Sequence, residues 1–211
     1  MPRPKQPLLT RESIVATALE IIDAEGLDAL STPRLAKEMN VTAPSLYHHF
    51  QDKNEILAEV ARAILLEIPF PRRKPDSEWS EFFVQLSLNF RRAVLRHRNA
   101  APVLLQHMPR DVLINVYDRI AAFLQEAGVP SRLHVLMLDG LEKYTLGTSL
   151  TEAMHSPRRR TNIFGTVDPQ AQPTLAEAVK ANEWNAEQLF IHTIRSFLAG
   201  VVSNTDDTDS R

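Results

Sequence analysis

The sequence contains no cysteine among its 211 residues. Disulfide bonds, thiolate metal sites and a cysteine nucleophile are therefore excluded together. An excess of positive charge is missing as well, because 24 Lys and Arg residues stand against 26 Asp and Glu residues. A nucleic acid or an anionic membrane would have to bind a local patch, since the chain as a whole carries no positive field.

Long apolar runs are also absent. Charged residues interrupt every apolar stretch well short of about 18 residues, the length that a membrane-spanning helix needs. Residues 1–12 are basic but lack the apolar segment of a signal peptide. Together with the absence of cysteine, these features predict a soluble, cytoplasmic protein without a membrane partner.

Only six glycines occur, and alternating apolar and polar stretches bounded by Asn-Gly or Asp-Gly are missing. Apolar residues instead recur every three or four positions, which predicts an all-α fold. Asn40 falls in a tight turn that needs a positive φ, which Asn tolerates better than other residues with a side chain. The signals that start and stop the first four helices are Thr10 and Gly26, Thr32 with Pro33, Thr42 with Pro44, and Asp52.

Three prolines and three consecutive basic residues lie between Ile68 and Asp76. No helix is expected to cross this stretch. It predicts a boundary between an N-terminal domain, residues 1–68, and a C-terminal domain, residues 69–211. Further helices are predicted at about 77–98, 101–107, 111–127, 132–155 and 184–201, with a mobile loop at 156–173 and a frayed tail at 203–211.

The second and third predicted helices are joined by a four-residue turn, as in a helix-turn-helix motif. On a helical wheel, one side of the third helix carries Ala43, Leu46, Tyr47 and Phe50, and the other carries Pro44, Ser45, His48 and His49. We expect the first side to pack on the preceding helices and the second to face the major groove of DNA. No carboxylate occurs from Val41 to Gln51, which suits a surface lying against phosphates. Lys53, at the start of the next helix, adds a phosphate contact.

Residues 10–60 resemble the DNA-binding domain of the TetR family of transcriptional repressors, most specifically in Leu46-Tyr47-x-His49-Phe50-x-x-Lys53. The resemblance implies that Thr32 and Arg34 meet phosphates or base edges. It also places Ser45, His48 and His49 in the major groove, and Tyr47 and Lys53 on the DNA backbone. The predicted DNA-binding set is therefore Thr32, Arg34, Thr42, Ala43, Pro44, Ser45, Tyr47, His48, His49 and Lys53.

This sequence departs from the family pattern at two positions that bear on which operator is bound. Pro33 and Ala43 replace an arginine and a glutamine of the tetracycline repressors, so a different operator is expected. Tyr47 has an alternative interpretation as a packing residue at the rim of the core, because its ring angle lies close to the apolar side. The basic residues Arg3, Lys5 and Arg11 either brush DNA or belong to a solvated terminus.

The C-terminal part resembles the tetracycline-repressor class through Glu78-Trp79, the stretch 89–98 and Tyr144-Thr145-Leu146-Gly147. The resemblance implies a ligand pocket in a helical core and a homodimer formed by the last two long helices. The alternative is that both helix faces serve only the core of one chain. Those faces are Leu136, Met137, Gly140, Leu141, Tyr144, Gly147, Thr148 and Thr151, and Leu189, Phe190, Thr193, Ile194, Phe197 and Val201.

The pocket implied by the resemblance differs from that of the tetracycline repressors. Where those proteins hold the magnesium-bound drug with a histidine, an asparagine, a glutamine and a glutamate, this chain has Leu104, Leu86, Ile120 and Thr151. Such a chelate would leave its charge and polar atoms unpaired here. We therefore expect a small, largely apolar effector and assign no metal and no cofactor. The candidate ligand-binding residues, which are otherwise ordinary core, are Leu86, Phe90, Leu104, His107, Tyr117, Ile120 and Tyr144.

Two other functions, a metal enzyme and a protein-binding adaptor, are alternatives for this sequence. The segment Glu152-Ala-Met-His155 has the spacing of a di-iron helix but occurs once, so a satisfied surface pair is favoured over a metal enzyme. Motifs of metalloproteases, serine hydrolases and phosphate-binding loops are missing. A helical adaptor that binds only protein would bury residues 44–49 in a dimer. The sequence favours a non-enzymatic, homodimeric repressor that leaves a palindromic DNA operator when a small-molecule effector binds.

Overall fold

The structure is a computed structural model that describes residues 9–72, 78–154 and 167–203. These residues form helices and connecting turns without any strand, so the all-α prediction is confirmed. No helix within the described residues is long and apolar enough to cross a membrane. The α-helices are α1 (Arg11–Glu25), α2 (Thr32–Glu38), α3 (Ala43–Tyr47), α4 (Lys53–Leu66), α5 (Trp79–Arg96), α6 (Ala101–Gln106), α7 (Arg110–Glu126), α8 (Ser131–Met154), α9 (Pro173–Ala181) and α10 (Ala186–Ser203).

The chain forms two compact units. The first combines the residues up to Ile68 with Ala93–Asn115, and the second combines Pro69–Arg92 with the residues from Val116 onwards. Helices α5 and α7 therefore contribute residues to both units. The division into domains 1–68 and 69–211 stays a prediction, since the first compact unit also takes in a later segment of the chain.

Local capping determines where α1 begins and ends. The Thr10 hydroxyl accepts a hydrogen bond from the Ser13 N–H at 3.1 Å, and the Ser13 hydroxyl accepts one from the Thr10 N–H at 3.0 Å. This reciprocal pair satisfies two of the unpaired N–H groups that every helix N-terminus leaves. Gly26 follows the last helical residue with φ 93°, a value that glycine adopts without a Cβ clash. Both predicted ends of α1 are confirmed.

The predicted start of α2 is wrong by one residue. Ser31, in an extended conformation, is the N-cap, and its hydroxyl accepts a hydrogen bond from the Arg34 N–H at 3.2 Å. Thr32 is the first helical residue and Pro33 the second. The shift costs no backbone hydrogen bond, because the second N–H of a helix also lacks an intrahelical acceptor.

Two compact cores support the helices. In the first unit, α1 packs on α4, whose buried residues are the predicted Ile56, Leu57, Val60, Ala61, Ile64 and Leu65. In the second unit, α5, α7, α8 and α10 bury Phe83, Leu124, Met137, Phe190, Ile194 and Leu198 almost completely, together with further apolar side chains. Burial of each large side chain contributes about 1.5–3 kcal/mol, so these cores supply the main stabilisation of the helices.

The helix faces predicted for the dimer are partly used within the chain. Met137, Leu141, Phe190 and Ile194 are buried, whereas Leu136 stays exposed. A Cβ added to Gly140 would lie 2.4 Å from the Phe197 ring, so this glycine allows the close approach of α10 to α8. Gly140 therefore serves intrachain packing, whereas a Cβ at Gly147 would meet nothing within 4 Å.

Helix α9 was not predicted. Almost all of its side chains are exposed, so it lacks the buried stripe that identifies an amphipathic helix from sequence. Its signals are Pro173 at the first helical position and residues of high helix propensity such as Ala176 and Lys180. It starts at the end of the predicted loop 156–173, much of which lies outside the described residues, as do residues 204–211 of the predicted tail and the basic residues Arg3 and Lys5.

Asn40 closes α2 with a left-handed residue. Its φ is 54°, and the N–H groups of Asn40 and Val41 bond the carbonyls of Lys37 and Ala36 at 3.2 and 2.9 Å. This is the hydrogen-bond pattern of a Schellman cap, and the predicted positive φ is confirmed.

Replacing Asn40 tests this turn. We expect Asn40→Ala to lower the free energy of unfolding by about 1 kcal/mol, because a Cβ is strained in the left-handed region and the Asn side chain tolerates it better. Asn40→Gly, the matched control, should retain wild-type stability. Urea unfolding of the full chain measures both, and equal stability of the Ala and Gly variants would contradict the assignment.

Candidate functional site

Helices α2 and α3 are in contact and form the predicted helix-turn-helix arrangement. Leu35 and Ala36 of α2 are buried, as are Leu46 of α3 and Phe50 just after it. The small Ala36 side chain suits a close approach of α3 to α2. Both helices therefore bury apolar side chains in the first unit.

Helix α3 is shorter than the helical wheel assumed. It ends at Tyr47, and His48, His49 and Phe50 continue as a turn in which the N–H groups of His49 and Phe50 both bond the Leu46 carbonyl. Tyr47 is 55 % exposed, so its placement on the packing side is wrong. Leu46 and Phe50 are buried instead, and of the residues between them Tyr47 and His48 are exposed and His49 is half-buried.

The predicted DNA-binding residues lie on α2, on α3 and its flanking turns, and at the start of α4. Thr42 takes the N-cap position of α3 but makes no capping bond, since its hydroxyl pairs with the Ser45 hydroxyl at 2.8 Å. Thr42, Pro44, Tyr47 and His48 are exposed, whereas Thr32, Arg34, Ala43, Ser45, His49 and Lys53 are half-buried. Their contacts with DNA stay a prediction.

Arg34 is already paired with two carboxylates. Its Nη2 donates to Glu25 at 2.6 Å and its Nη1 to Glu38 at 2.5 Å. The hydrogen bond to Glu25, followed by that to Glu38, raises the pKa of Arg34 above its ordinary value. To contact a phosphate, the guanidinium would have to exchange one of these partners for it.

Lys53 is placed differently. It is the first residue of α4, directly after the N-cap Asp52, whose carboxylate accepts a hydrogen bond from the Glu55 N–H at 2.9 Å. Among the described residues, no ion pair involves Lys53. The lysine charge and the positive end of a 14-residue helix therefore coincide, which suits a phosphate.

The predicted ligand-binding residues fall into both compact units. Leu86, Phe90, Tyr117, Ile120 and Tyr144 belong to the second unit, whereas Leu104 and His107 belong to the first. Leu104 is fully buried, and His107 directly follows α6. The Tyr144 ring stacks on Phe190 with centroids 5.4 Å apart. That these residues form one ligand site stays a prediction.

The second unit contains a polar cluster of Arg91, Glu152 and Glu187 that was not predicted from the sequence. Arg91 donates two hydrogen bonds to Glu152, at 2.8 and 2.7 Å, and a third to Glu187 at 3.0 Å. The Arg91 side chain is only 7 % exposed and that of Glu152 only 11 %. Nearby in sequence on α5 and α8, the buried Ser87 hydroxyl accepts a bond from Thr145 at 3.1 Å. The sequence signal was the helical spacing of Ser87 and Arg91, which share one face of α5.

The cluster also corrects the interpretation of Glu152. Its carboxylate is a nearly buried ion-pair partner of Arg91, so the predicted surface location of Glu152 is wrong, while His155 lies outside the described residues. Both carboxylate oxygens accept bonds from Arg91. Within the described residues, no cluster of three or more His, Asp or Glu side chains is arranged to hold a metal ion.

Comparison with known proteins covers both parts of the chain. A family model described as "Bacterial regulatory proteins, tetR family" matches residues 14–60, and one described as "Tetracyclin repressor-like, C-terminal domain" matches residues 70–204. The class D tetracycline repressor protein of Escherichia coli is 29 % identical over 194 residues, which cover 91 % of this chain and 88 % of the relative.

Solved structures with the same fold include ligand complexes. The TetR family protein ActR of Streptomyces coelicolor, in complex with actinorhodin, is 25 % identical with a TM-score of 0.76, covering 94 % of this chain and 99 % of that one. A TetR variant of Acinetobacter baumannii, in complex with minocycline, is 25 % identical with a TM-score of 0.69 and coverages of 91 % and 92 %.

The pairing of Arg34 yields a test of its predicted contact. Glu38→Gln should strengthen binding to duplex DNA and steepen the dependence of log affinity on log salt by up to about one, because the guanidinium, then paired with Glu25 alone, can turn its other donors to a phosphate. Fluorescence anisotropy at several salt concentrations measures both quantities. Asp139→Asn, which removes the same charge from an exposed pair with Lys143 on α8, is the control. An equal effect of both variants would assign the change to net charge alone.

Proposed function

The chain belongs to the TetR family of bacterial regulatory proteins, and on that premise we propose that the surface built by α2, α3 and the start of α4 reads a palindromic operator. Members of this family are transcriptional regulators that bind DNA and small-molecule ligands and act as dimers, and this protein is such a regulator rather than an enzyme. The observation that carries the proposal is the carboxylate-free stretch from Val41 to Gln51, in which Thr42, Pro44, Tyr47 and His48 are exposed and which ends shortly before Lys53.

The division of labour on this surface follows from residue chemistry. Exposed His48, with Ser45 and His49, offers hydrogen-bonding groups suited to base edges in the major groove. Lys53, Tyr47 and Arg34 are suited to phosphates, which position the protein without reading sequence. A dimer would place two such surfaces roughly 34–36 Å apart, one turn of the duplex. Because the operator is genomic DNA, we also propose that the protein works in the cytoplasm.

The effector is proposed to be small and largely apolar. Leu86, Leu104 and Ile120 offer only hydrocarbon where the tetracycline repressors have polar groups, and Leu104 and Ile120 are buried. Glu152 directly follows Thr151, which stands where the tetracycline repressors have a polar ligand group. Both of its carboxylate oxygens are bonded to Arg91, so it is not free to hold a cation. The solved relatives with actinorhodin and with minocycline support a ligand role for this domain in more than one chemistry.

We propose that the segment Ala93–Asn115 transmits the effect of ligand binding to the helix-turn-helix. It belongs to the same compact unit as α1–α4. The His97 ring bridges Asp23 of α1 at 2.6 Å and Glu67, at the end of α4, at 3.2 Å. Arg62 of α4 pairs with Asp111 at 2.8 Å. A ligand that favours another arrangement of this segment would change operator affinity by its differential affinity for the two states, typically up to about 150-fold.

Selection of bound duplexes from a random DNA pool at about 0.15 M salt tests the function, because phosphate attraction alone is weak there. We expect a palindrome with half-sites one or more helical turns apart. On the recovered operator, Lys53→Ala should weaken binding to all sequences and lower the salt slope by about one, whereas His48→Ala should relax preference at particular bases. Recovery of no enriched sequence would contradict the function, and identical effects of the two variants would contradict the division of labour.

The apolar effector predicts that magnesium–tetracycline leaves the operator complex intact. Its charge and hydrogen-bonding atoms would stay unpaired beside Leu86 and Ile120, which costs roughly 100-fold or more in affinity. Anisotropy of a labelled operator, titrated with magnesium–tetracycline and with uncharged aromatic compounds, measures release. Release by the chelate at concentrations that suffice for the class D tetracycline repressor would refute the proposed effector class.

A further inference from the structure

Arg11 makes its contacts on the segment that joins α3 to α4. Its Nη1 donates to the backbone carbonyl of His49, and its Nη2 donates to Glu55 Oε1 at 2.8 Å. The guanidinium carbon also lies 4.1 Å from the centre of the Phe50 ring. The Arg11 side chain, at the first position of α1, therefore contacts the backbone of His49, the ring of the buried Phe50 and the first turn of α4. The sequence left open whether Arg11 brushes DNA or is solvated; the structure shows a side chain that is 42 % exposed and is bonded to groups of this segment.

Glu55 extends this contact into the turn. Its second oxygen, Oε2, accepts a hydrogen bond from the Gln51 N–H at 2.6 Å. That bond, followed by the bond from Arg11, holds the pKa of Glu55 below its ordinary value, so the carboxylate is ionised near neutral pH. The backbone from His49 to Gln51 is thus held at one end by Arg11 and at the other by Glu55. We call this set, Arg11, Glu55 and the backbone of His49 and Gln51, the turn clamp.

The residues of the proposed DNA surface depend on this turn. Helix α3 spans only five residues, too few to keep its direction by its own hydrogen bonds. His48 and His49 lie outside it, in the segment that the turn clamp holds, and Lys53 follows directly. Leu46 and Phe50 fix the inner side of the segment by burial. The turn clamp is the polar contact that fixes its C-terminal end relative to α1 and α4.

The charges of the turn clamp argue against a direct phosphate contact by Arg11. The Glu55 carboxylate neutralises the guanidinium, and one of its two faces lies against the Phe50 ring, while the Arg11 side chain stays 42 % exposed. The Arg11 guanidinium has three partners in fixed positions: the His49 carbonyl, the Glu55 carboxylate and the Phe50 ring. A lysine ammonium cannot make the same set of contacts, because it lacks the planar fork of donors. We infer that Arg11 is a positioning residue for operator recognition, which acts through the backbone of His49 and through Glu55 on the placement of His48, His49 and Lys53.

This inference rests on the proposed operator-binding function, and its test separates the two. The wild type, Arg11→Lys, Arg11→Met and Glu55→Gln are compared on the selected operator and on a shuffled duplex. Arg11→Lys should lower affinity for the operator about tenfold, the scale of one lost base contact, with affinity for the shuffled duplex changed by less than about twofold. Arg11→Met should leave the salt slope unchanged, because no phosphate contact is lost.

Two further readouts exclude a purely structural role. Amide exchange at Gln51 should become faster in Arg11→Lys and in Glu55→Gln, since its N–H is held by Glu55. Arg195→Lys, which breaks a bidentate and similarly exposed pair with Glu81 in the second unit, is the matched control for the loss of an ion pair. It should change thermal stability as little as Arg11→Lys does and leave operator affinity unchanged.

Each outcome decides between the hypotheses. A wild type that prefers no duplex would overturn the proposed function, and the inference with it. A wild type that prefers its operator while Arg11→Lys keeps the full preference would overturn the inference alone. A parallel loss on both duplexes, or a salt slope lowered by about one in Arg11→Met, would make Arg11 a phosphate contact instead.

Discussion

The DNA surface depends on the burial of two side chains, Leu46 and Phe50, which are 1 % and 2 % exposed. A helix of five residues is not stable by itself, because the cost of nucleation is spread over too few hydrogen bonds. Burying a leucine and a phenylalanine contributes about 1.5–3 kcal/mol each, which makes this contact the main force that holds α3 on α2. Their spacing then determines what is exposed, since Tyr47 and His48 lie exposed between them and His49 is half-buried. The spacing of Leu46 and Phe50 thus determines both how α3 packs and which residues are available to contact DNA.

The arginines and the lysine near this surface have different electrostatic roles. Arg34 and Arg11 are neutralised by Glu25, Glu38 and Glu55, so they connect helices more than they add positive potential. Lys53 combines its own charge with the N-terminal dipole of α4. In a chain with a formal net charge of -2, attraction for phosphate therefore depends on such local sites rather than on the chain as a whole. Such an arrangement favours a defined register on the duplex over general affinity for nucleic acid.

Features that depend on neighbouring residues could be predicted from the sequence. The cap at Thr10, the glycine end of α1, the left-handed Asn40 and the buried face of α4 each follow from residues within one or two helical turns. Competition among such signals caused the small error at Ser31, where two adjacent hydroxyl residues offer equivalent caps. Contacts between distant residues could not be predicted, because no period in the sequence encodes them. Arg11 lies 38 and 44 residues from its partners His49 and Glu55, and Arg91 lies 61 and 96 residues from its two glutamates.

The nearly buried pair of Arg91 and Glu152 matters for any ligand that reaches these two groups. Removing a guanidinium and a carboxylate from water is costly, and the pairing of Arg91 with Glu152 offsets that cost only while the geometry is kept. A charged effector that drew either group away would leave its partner buried and uncompensated, a loss of about 3–5 kcal/mol. The Ser87 and Thr145 hydroxyls are likewise paired with each other. Because these groups are already paired, the proposed apolar effector would leave their hydrogen bonds intact, whereas a charged effector bound to either group would have to replace one of them.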